Sequence, residues 1–395
     1  MTPITSIQDL KTLYEQRVPK MFFDYTESGS WTEQTFRDNE RKLQALTFKQ
    51  RVLVDISHRE LGTSMLGQPV SMPVALSPVG LTGFQHGDGE IKAARAAAQF
   101  GVPYTLSTMS ICSIEDVASA TDQPFWFQLY VMKDRGFVKA LIERAKAAQC
   151  SALVLTADLQ ILGQRHKDIK NGLSTPPKPT IRNLLSTLGH PRWALSMLLA
   201  RRRHFGNIVG HVSGVSDTGS LSEWTAKQFD PALTWKDVEW IKTMWDGPLI
   251  IKGIMTSEDA RLAQSCGADA IVVSNHGGRQ LDGAPAAIQV LPEIKSSLGD
   301  TLEVWMDGGI RSGQDVLRAL ALGADATMIG RSYVYGLGAL GEVGVTKALE
   351  IIRNELDLSM AFCGRTSVQE VDASILWNRS NDSPMNSVNA RYRYR

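Results

Sequence analysis

Apolar residues recur at helical spacing at Ile7, Leu10, Tyr14 and Val18, then give way to short aliphatic runs separated by longer amphipathic stretches. The first pattern predicts an N-terminal helix, and the alternation after it predicts repeated strand–helix units. Strands are expected at Val74–Ser77, Tyr104–Ser107, Phe125–Leu129, Ala152–Thr156, Leu249–Lys252, Ala270–Ser274, Leu302–Met306 and Ala326–Ile329. Glu90–Phe100, Arg135–Ala148 and Thr256–Cys266 read as intervening helices, with Gly101, Gly267 and Gly323 placed as C-terminal caps. Eight strands suit one α/β domain, a (β/α)8 TIM barrel, although a doubly wound sheet alternates in a similar way. The polar residues favour the barrel. Ser77, Ser107, Gln128, Thr156, Lys252, His276, Asp307 and Arg331 all fall at or just beyond C-terminal strand ends, where a barrel gathers its active site.

The expected organisation is a single domain over residues 1–395, with a long insertion at 169–216 after the fourth strand and a polar tail at 376–395. A hydrophobic content of 43% is ample for a full-sized core, and the formal net charge of +1 argues against nucleic acid as a partner. Cys112, Cys150, Cys266 and Cys363 lie too far apart for a zinc site and are too few for a secreted disulfide framework. No signal peptide and no spanning segment of roughly 18 apolar residues is expected, which points to a cytoplasmic protein or one bound to the cytoplasmic face of the inner membrane.

The densest chemistry is Ser274-Asn275-His276-Gly277-Gly278-Arg279-Gln280-Leu281-Asp282, directly after Ile271-Val272-Val273. The glycines permit close backbone approach to a ligand, His276 can take a proton near neutral pH, and Arg279 can grip a carboxylate at two points. The same residues could form a glycine-rich turn with a solvated arginine. Lys252 follows Leu249-Ile250-Ile251, where an unpaired charge would be costly, so it requires an anionic ligand or a structural carboxylate. Asp307-Gly308-Gly309-Ile310-Arg311 and Gly330-Arg331 each set glycine and arginine between a strand and a helix, an arrangement suited to a phosphate. No metal is expected. Gly336, Gly338 and Gly341 have the spacing of a dinucleotide fingerprint but follow no strand directly. Helix packing is the better reading, and no NAD is expected.

These motifs together resemble the FMN-dependent L-2-hydroxy-acid oxidases and dehydrogenases. The likeness runs from Phe23-Asp24-Tyr25 and Gly29 through Met72–Gly80, Leu106-Ser107-Thr108, Trp126–Tyr130, Leu155–Asp158, Ile250–Gly253 and the nonapeptide to Ile329-Gly330-Arg331. The resemblance implies FMN as cofactor. Ser107, Gln128, Thr156 and Ser274 would bond the flavin ring, and backbone at Pro78, Val79 and Gly80 would pack on its face. Lys252 would face the ring edge that gains negative charge on reduction. Asp307, Gly308, Gly309, Arg311, Gly330 and Arg331 would serve the phosphate end. His276 would be the catalytic base with Asp158 orienting it, while Arg279 and Arg165 would clamp the substrate carboxylate with help from the phenols of Tyr25 and Tyr130. Met109 is expected beside the substrate's side chain. Ala157 stands where the family usually has valine, and Gln160-Ile161 where proline is frequent, which bears on loop geometry and substrate preference.

Similarity over Ser71–Val131 and Trp235–Gly253 points to the bacterial respiratory branch that oxidises L-lactate and passes electrons to a quinone. His190-Pro191-Arg192-Trp193 keeps (S)-mandelate open, and an oxygen-using glycolate or 2-hydroxy-acid oxidase is a further alternative. Outside catalysis, a flavin-free phosphate-binding barrel remains possible. A homo-oligomer, by resemblance a tetramer, is expected. The insertion carries Lys170, Lys178, Arg182, Arg192, Arg201, Arg202 and Arg203 and no acidic residue. Trp193–Ala200 adds an apolar face with an interfacial tryptophan, the composition of a helix lying in an anionic membrane surface. A solvated basic loop or subunit contact has the same composition.

Overall fold

The computed structural model describes residues 3–172, 186–212 and 228–377. Lys178, Arg182, the end of the basic insertion and nearly all of the C-terminal tail lie outside the described residues. Eight parallel strands form the barrel: β3 (Val74–Leu76), β4 (Thr105–Ser107), β5 (Trp126–Leu129), β6 (Ala152–Thr156), β7 (Leu249–Ile254), β8 (Ala270–Val273), β9 (Glu303–Met306) and β10 (Ala326–Ile329). Each pairs with its neighbour in sequence, β10 returns to β3, and a parallel bridge from Leu76 to Tyr104 closes the ring. All eight lie where the apolar runs predict them.

Alternation along each strand then sorts the side chains. Leu76, Phe127, Leu153, Leu155, Ile251, Ile271, Val273 and Met306 belong to the large core between strands and helices. Their neighbours Ala75, Trp126, Val154, Ile250, Val272, Trp305 and Met328 form a second buried cluster inside the barrel. A side-chain period of two therefore carries the inward row on to Ser77, Ser107, Gln128, Thr156, Lys252, Ser274, Asp307 and Gly330 at the C-terminal mouth.

The far end is closed by a hairpin that the sequence pattern did not reveal, β1 (Thr63–Met65) with β2 (Gln68–Val70). Its two-residue turn has positive φ at Leu66 and Gly67, and it inserts Met65 and Val70 against the inner cluster, where Trp126 and Trp305 stack at 5.1 Å. The N-terminal helix Ile7–Arg17 forms as expected, started by a capping box between Ser6 and Asp9. It packs on helix Arg331–Leu340, where a Cβ on Gly338 would lie 2.2 Å from the Tyr14 ring. Gly336 is held as tightly by Gly344, so the fingerprint-like glycines serve helix packing.

Candidate active site

His276 follows β8 with its backbone in the left-handed region (φ 56°), an uncommon conformation for a residue with a side chain. Its N–H donates to Ser274 Oγ at 3.0 Å, and its Nδ1 lies 2.8 Å from Asp158 Oδ1. Burial alone would raise the Asp158 pKa, but His276 and Lys252 overcome it and hold the carboxyl below its ordinary value. The imidazole is thus fixed on one nitrogen by an ionised carboxylate, which leaves Nε2 to act on a ligand.

Three side chains given no role from sequence, Gln280, Asn275 and Asn39, hold this pair in place. Gln280 donates through Nε2 to the carbonyls of Asp158 and Ile161, both at 2.7 Å, and accepts Gly163 N–H at 3.0 Å. It clamps the β6 loop to the His276 turn. Asn275 and Asn39 exchange amide bonds at 2.8 and 2.9 Å, fixing the other side of the turn. A Cβ on Gly278, itself at positive φ, would fall 2.4 Å from the Phe36 nitrogen, so only glycine lets the two segments close.

Arg279 and Arg165 converge over the Tyr25 ring, at 4.8 and 6.0 Å from its centre. Burial and the neighbouring Arg165 push the Arg279 guanidinium down to about 10, still charged at neutral pH. Arg279 Nη1 is tethered to the Tyr25 carbonyl (2.6 Å) and to Ser28 Oγ (3.0 Å), while Arg165 Nε meets Asp168 at 2.6 Å. Ser28 and Asp168 also escaped the sequence reading. Asp168 lies three residues after Arg165 at a helix start, a spacing that could have revealed it. Burial, with the nearby Asp158 carboxylate, raises the Tyr130 pKa and keeps the phenol protonated. A Cβ on Gly80 would lie 3.3 Å from Met109 Cβ and 3.4 Å from the Tyr25 hydroxyl, so the Pro78–Gly80 loop, Met109 and Tyr25 meet at one point.

In the inward row, Ser107 Oγ and Thr108 N–H both donate to Gln128 Oε1, at 3.1 and 3.3 Å. Lys252 Nζ lies 2.8 Å from both Ser274 Oγ and Asp307 Oδ2. The structural carboxylate for Lys252 is therefore Asp307, through Oδ2. Its side chain follows the inward parity of β9 toward Lys252. The two arginines of the phosphate motifs have protein partners too. Arg331 donates to the carbonyls of Thr26, Gly277 and Ser28, with Phe36 under its guanidinium at 4.5 Å, and Arg311 pairs with Glu40 at 2.9 Å. The segments also present to an anion the backbone at Gly308 and Gly309 and the start of helix Arg331–Leu340.

The family model for FMN-dependent dehydrogenases matches residues 14–378. The chain belongs to the FMN-dependent dehydrogenases. It is 44% identical over 374 residues to an L-lactate dehydrogenase of Ectopseudomonas mendocina, covering 94% of this chain and 98% of that one. It is 46% identical to an L-lactate dehydrogenase of Xanthomonas campestris pv. campestris, covering 94% and 97%. Among solved structures, a monotopic membrane protein, (S)-mandelate dehydrogenase, superposes with a TM-score of 0.91 at 35% identity, covering 95% of this chain and 100% of that one. A soluble mutant of the membrane-associated (S)-mandelate dehydrogenase from Pseudomonas putida gives 0.80 at 33% identity, with the same coverage.

The inward row of this FMN-dependent dehydrogenase fits its cofactor. Gln128 Nε2 and Asp307 Oδ1 are buried polar atoms without a hydrogen-bond partner, one a donor and one an acceptor, beside the Lys252 ammonium. A polar heterocycle with hydroxylated side chain supplies complementary groups to both. The cluster also lies at the mouth of the barrel, next to the His276–Asp158 pair.

Proposed function

We propose that this FMN-dependent L-2-hydroxy-acid dehydrogenase takes L-lactate as its substrate, forms pyruvate, and passes the electrons to a membrane quinone. The observation that carries the reading is the 2.8 Å His276–Asp158 contact beside two guanidinium groups gathered over Tyr25. Arg279 and Arg165 bind the substrate carboxylate, with the Tyr25 and Tyr130 phenols at their side. His276 Nε2 takes a proton from the substrate, and Asp158 stabilises the imidazolium that results. FMN, when bound, accepts the two electrons released at the substrate's α-carbon. Ser107, Gln128, Thr156 and Ser274 hold its ring from the inward row, Pro78, Val79 and Gly80 border its face, and Lys252 with Asp307 supplies the charged edge. Gly308, Gly309, Arg311, Gly330 and Arg331 form the phosphate end, the glycines through backbone, Arg331 at its helix N-terminus and Arg311 through its guanidinium. The relatives' shared name supports lactate over mandelate, whereas half-buried Met109 beside Gly80 suits either a methyl or a phenyl group.

The test is a substrate panel of L-lactate, (S)-mandelate and glycolate, each with a dye acceptor and with oxygen. Purified protein should show flavin absorbance that anaerobic L-lactate bleaches, with the highest kcat/KM on L-lactate and little oxygen turnover. A preference for (S)-mandelate would overturn the lactate assignment, and rapid oxygen turnover the quinone assignment. The assembly we propose is a homo-oligomer, a tetramer by family resemblance, which light scattering checks.

Docking on the cytoplasmic membrane face belongs to the same reading. No helix among the described residues is long and apolar enough to cross a bilayer. Helix Pro191–Leu199 nonetheless leaves Leu195, Leu198 and Leu199 exposed at 56%, 67% and 72%, with Leu188 beside them. Arg192, Arg201 and Arg203 are exposed in the same segment. Trp193 does not join this face as expected. It stacks on Phe22 at 5.3 Å and donates to the Phe84 carbonyl at 2.8 Å, because an indole N–H gains a partner by turning inward. Arg202 is likewise engaged with Asp116 at 2.9 Å. The aliphatic ridge with its flanking arginines is what remains for anionic lipid. The intact protein should cosediment with anionic vesicles, and a Leu195→Asp, Leu198→Asp variant should stay in the supernatant. Equal, negligible binding by both would remove the membrane assignment.

A further inference from the structure

Asn207 follows the exposed aliphatic helix in the basic insertion and is fully buried. Its side chain spans two loops. Nδ2 donates to Ser110 Oγ at 2.9 Å and to the Ser107 carbonyl at 3.3 Å, with the Thr108 carbonyl at 3.5 Å. Oδ1 accepts Ile114 N–H at 2.9 Å and Arg144 Nη2 at 3.3 Å. The backbone around it is pressed into the same loop. Gly206 N–H reaches the Ile111 carbonyl at 3.1 Å, and a Cβ on Gly206 would lie 2.7 Å from the Ser113 nitrogen.

The turn that Asn207 grips, Ser107–Ser110, fixes the Gln128 amide. Thr108 N–H can only donate, so the Gln128 atom that meets both it and the Ser107 hydroxyl must be the carbonyl oxygen. That orientation leaves Nε2 as the buried donor without a protein partner. Met109, which borders Gly80, is held by the same turn through its N–H bond to Ser107 Oγ at 3.1 Å.

We propose that Asn207 is a positioning residue of the cofactor site, which aims the Gln128 N–H at the flavin by holding the carbonyls of Ser107 and Thr108. The inference rests on Gln128 being a flavin contact, as read above. It also makes the insertion a brace of the catalytic mouth as well as a carrier of the aliphatic ridge. Asn207 itself lies outside the signature motifs, and nothing in the spacing of the sequence marks it.

Asn207→Asp separates this role from a purely structural one. Aspartate keeps the acceptor for Ile114 N–H and Arg144 but cannot donate to the two carbonyls, and its charge repels them. Titration of each apoprotein with FMN, followed by flavin fluorescence, should show Kd raised about tenfold, the scale of one lost hydrogen bond. The Asn207→Asp apoprotein should melt lower as well, because a buried carboxylate facing two carbonyls is unfavourable. The deciding readout is therefore the midpoint potential of its bound FMN, which should move and which a purely structural role would leave unchanged. Asn207→Ala should lose affinity as well as stability, and it decides the matter by the same titration if the aspartate variant does not fold. Gln128→Leu provides the reference. Lost affinity in Gln128→Leu with unchanged affinity and potential in Asn207→Asp overturns the positioning role alone. Unchanged affinity in both overturns the flavin contact on which it depends.

Discussion

Replacing His276 with glutamine is expected to lower turnover by about 10²–10⁴-fold, the contribution of one positioned general base, with FMN still bound. Glutamine can preserve a hydrogen bond to Asp158 but cannot take up the substrate's proton. Most of the inward row from Ser77 to Asp307 comes from other strands, and Ser274, which follows the same strand as His276, meets its backbone N–H and not the imidazole, so the visible flavin spectrum should survive. Asp158 loses the strongest of the interactions that keep it ionised against burial, and Lys252 remains to oppose the change. Some stability should therefore be lost without unfolding. Anaerobic mixing with L-lactate, followed at the flavin absorbance, isolates the reductive step from later electron transfer. Turnover near that of the unsubstituted enzyme, with the spectrum intact, would remove His276 from the role of base.

How far the sequence carried this picture depends on whether a signal was local. Most of the barrel strands are legible because each is a run of apolar residues, and the strand ends announce the site because a period of two makes the next inward residue polar in seven of the eight. Ser107, Gln128, Thr156 and Lys252 could thus be placed together without coordinates. The β1–β2 hairpin could not. It offers only three residues per strand, one of them Pro69, and its contribution to the core is Met65 and Val70 filling a space that only the closed barrel creates. Partnerships between distant segments were equally hidden. Lys252 calls for an anion on energetic grounds, but that Asp307 meets it follows from both side chains pointing inward, β7 and β9 flanking β8. Gln280 was in view within the nonapeptide, yet its bonds to Asp158, Ile161 and Gly163 require the β6 loop to fold back over β8. The inward turn of Trp193 reflects a choice between lipid and a nearby carbonyl that composition cannot express.

Substituting Lys252 with methionine should have the other large effect, and a double substitution can divide it into parts. The ammonium and the Asp307 carboxylate are 2.8 Å apart and both buried. Burial alone would lower the lysine pKa, but Asp307 and Asp158 outweigh it and the net shift is upward. A raised pKa in the folded state means that the stabilising contribution is complete below the unfolded value, about 10.4, and fades only as pH rises through the folded one. The pair is therefore fully formed at neutral pH. Methionine leaves Asp307 buried without its cation, a change that costs about 3–5 kcal/mol when one member of a buried pair is removed. Denaturant titration of the apoprotein should show that loss. Adding Asp307→Asn removes the stranded charge, and most of the stability should return, since a neutral replacement of both partners costs little. FMN chemistry should not return with it. With no positive charge beside the ring edge, the midpoint potential of bound FMN should remain lower than in the unsubstituted enzyme, and anaerobic bleaching by L-lactate should remain slow. Recovery of stability, potential and bleaching rate together in the double variant would show that Lys252 serves only to neutralise Asp307.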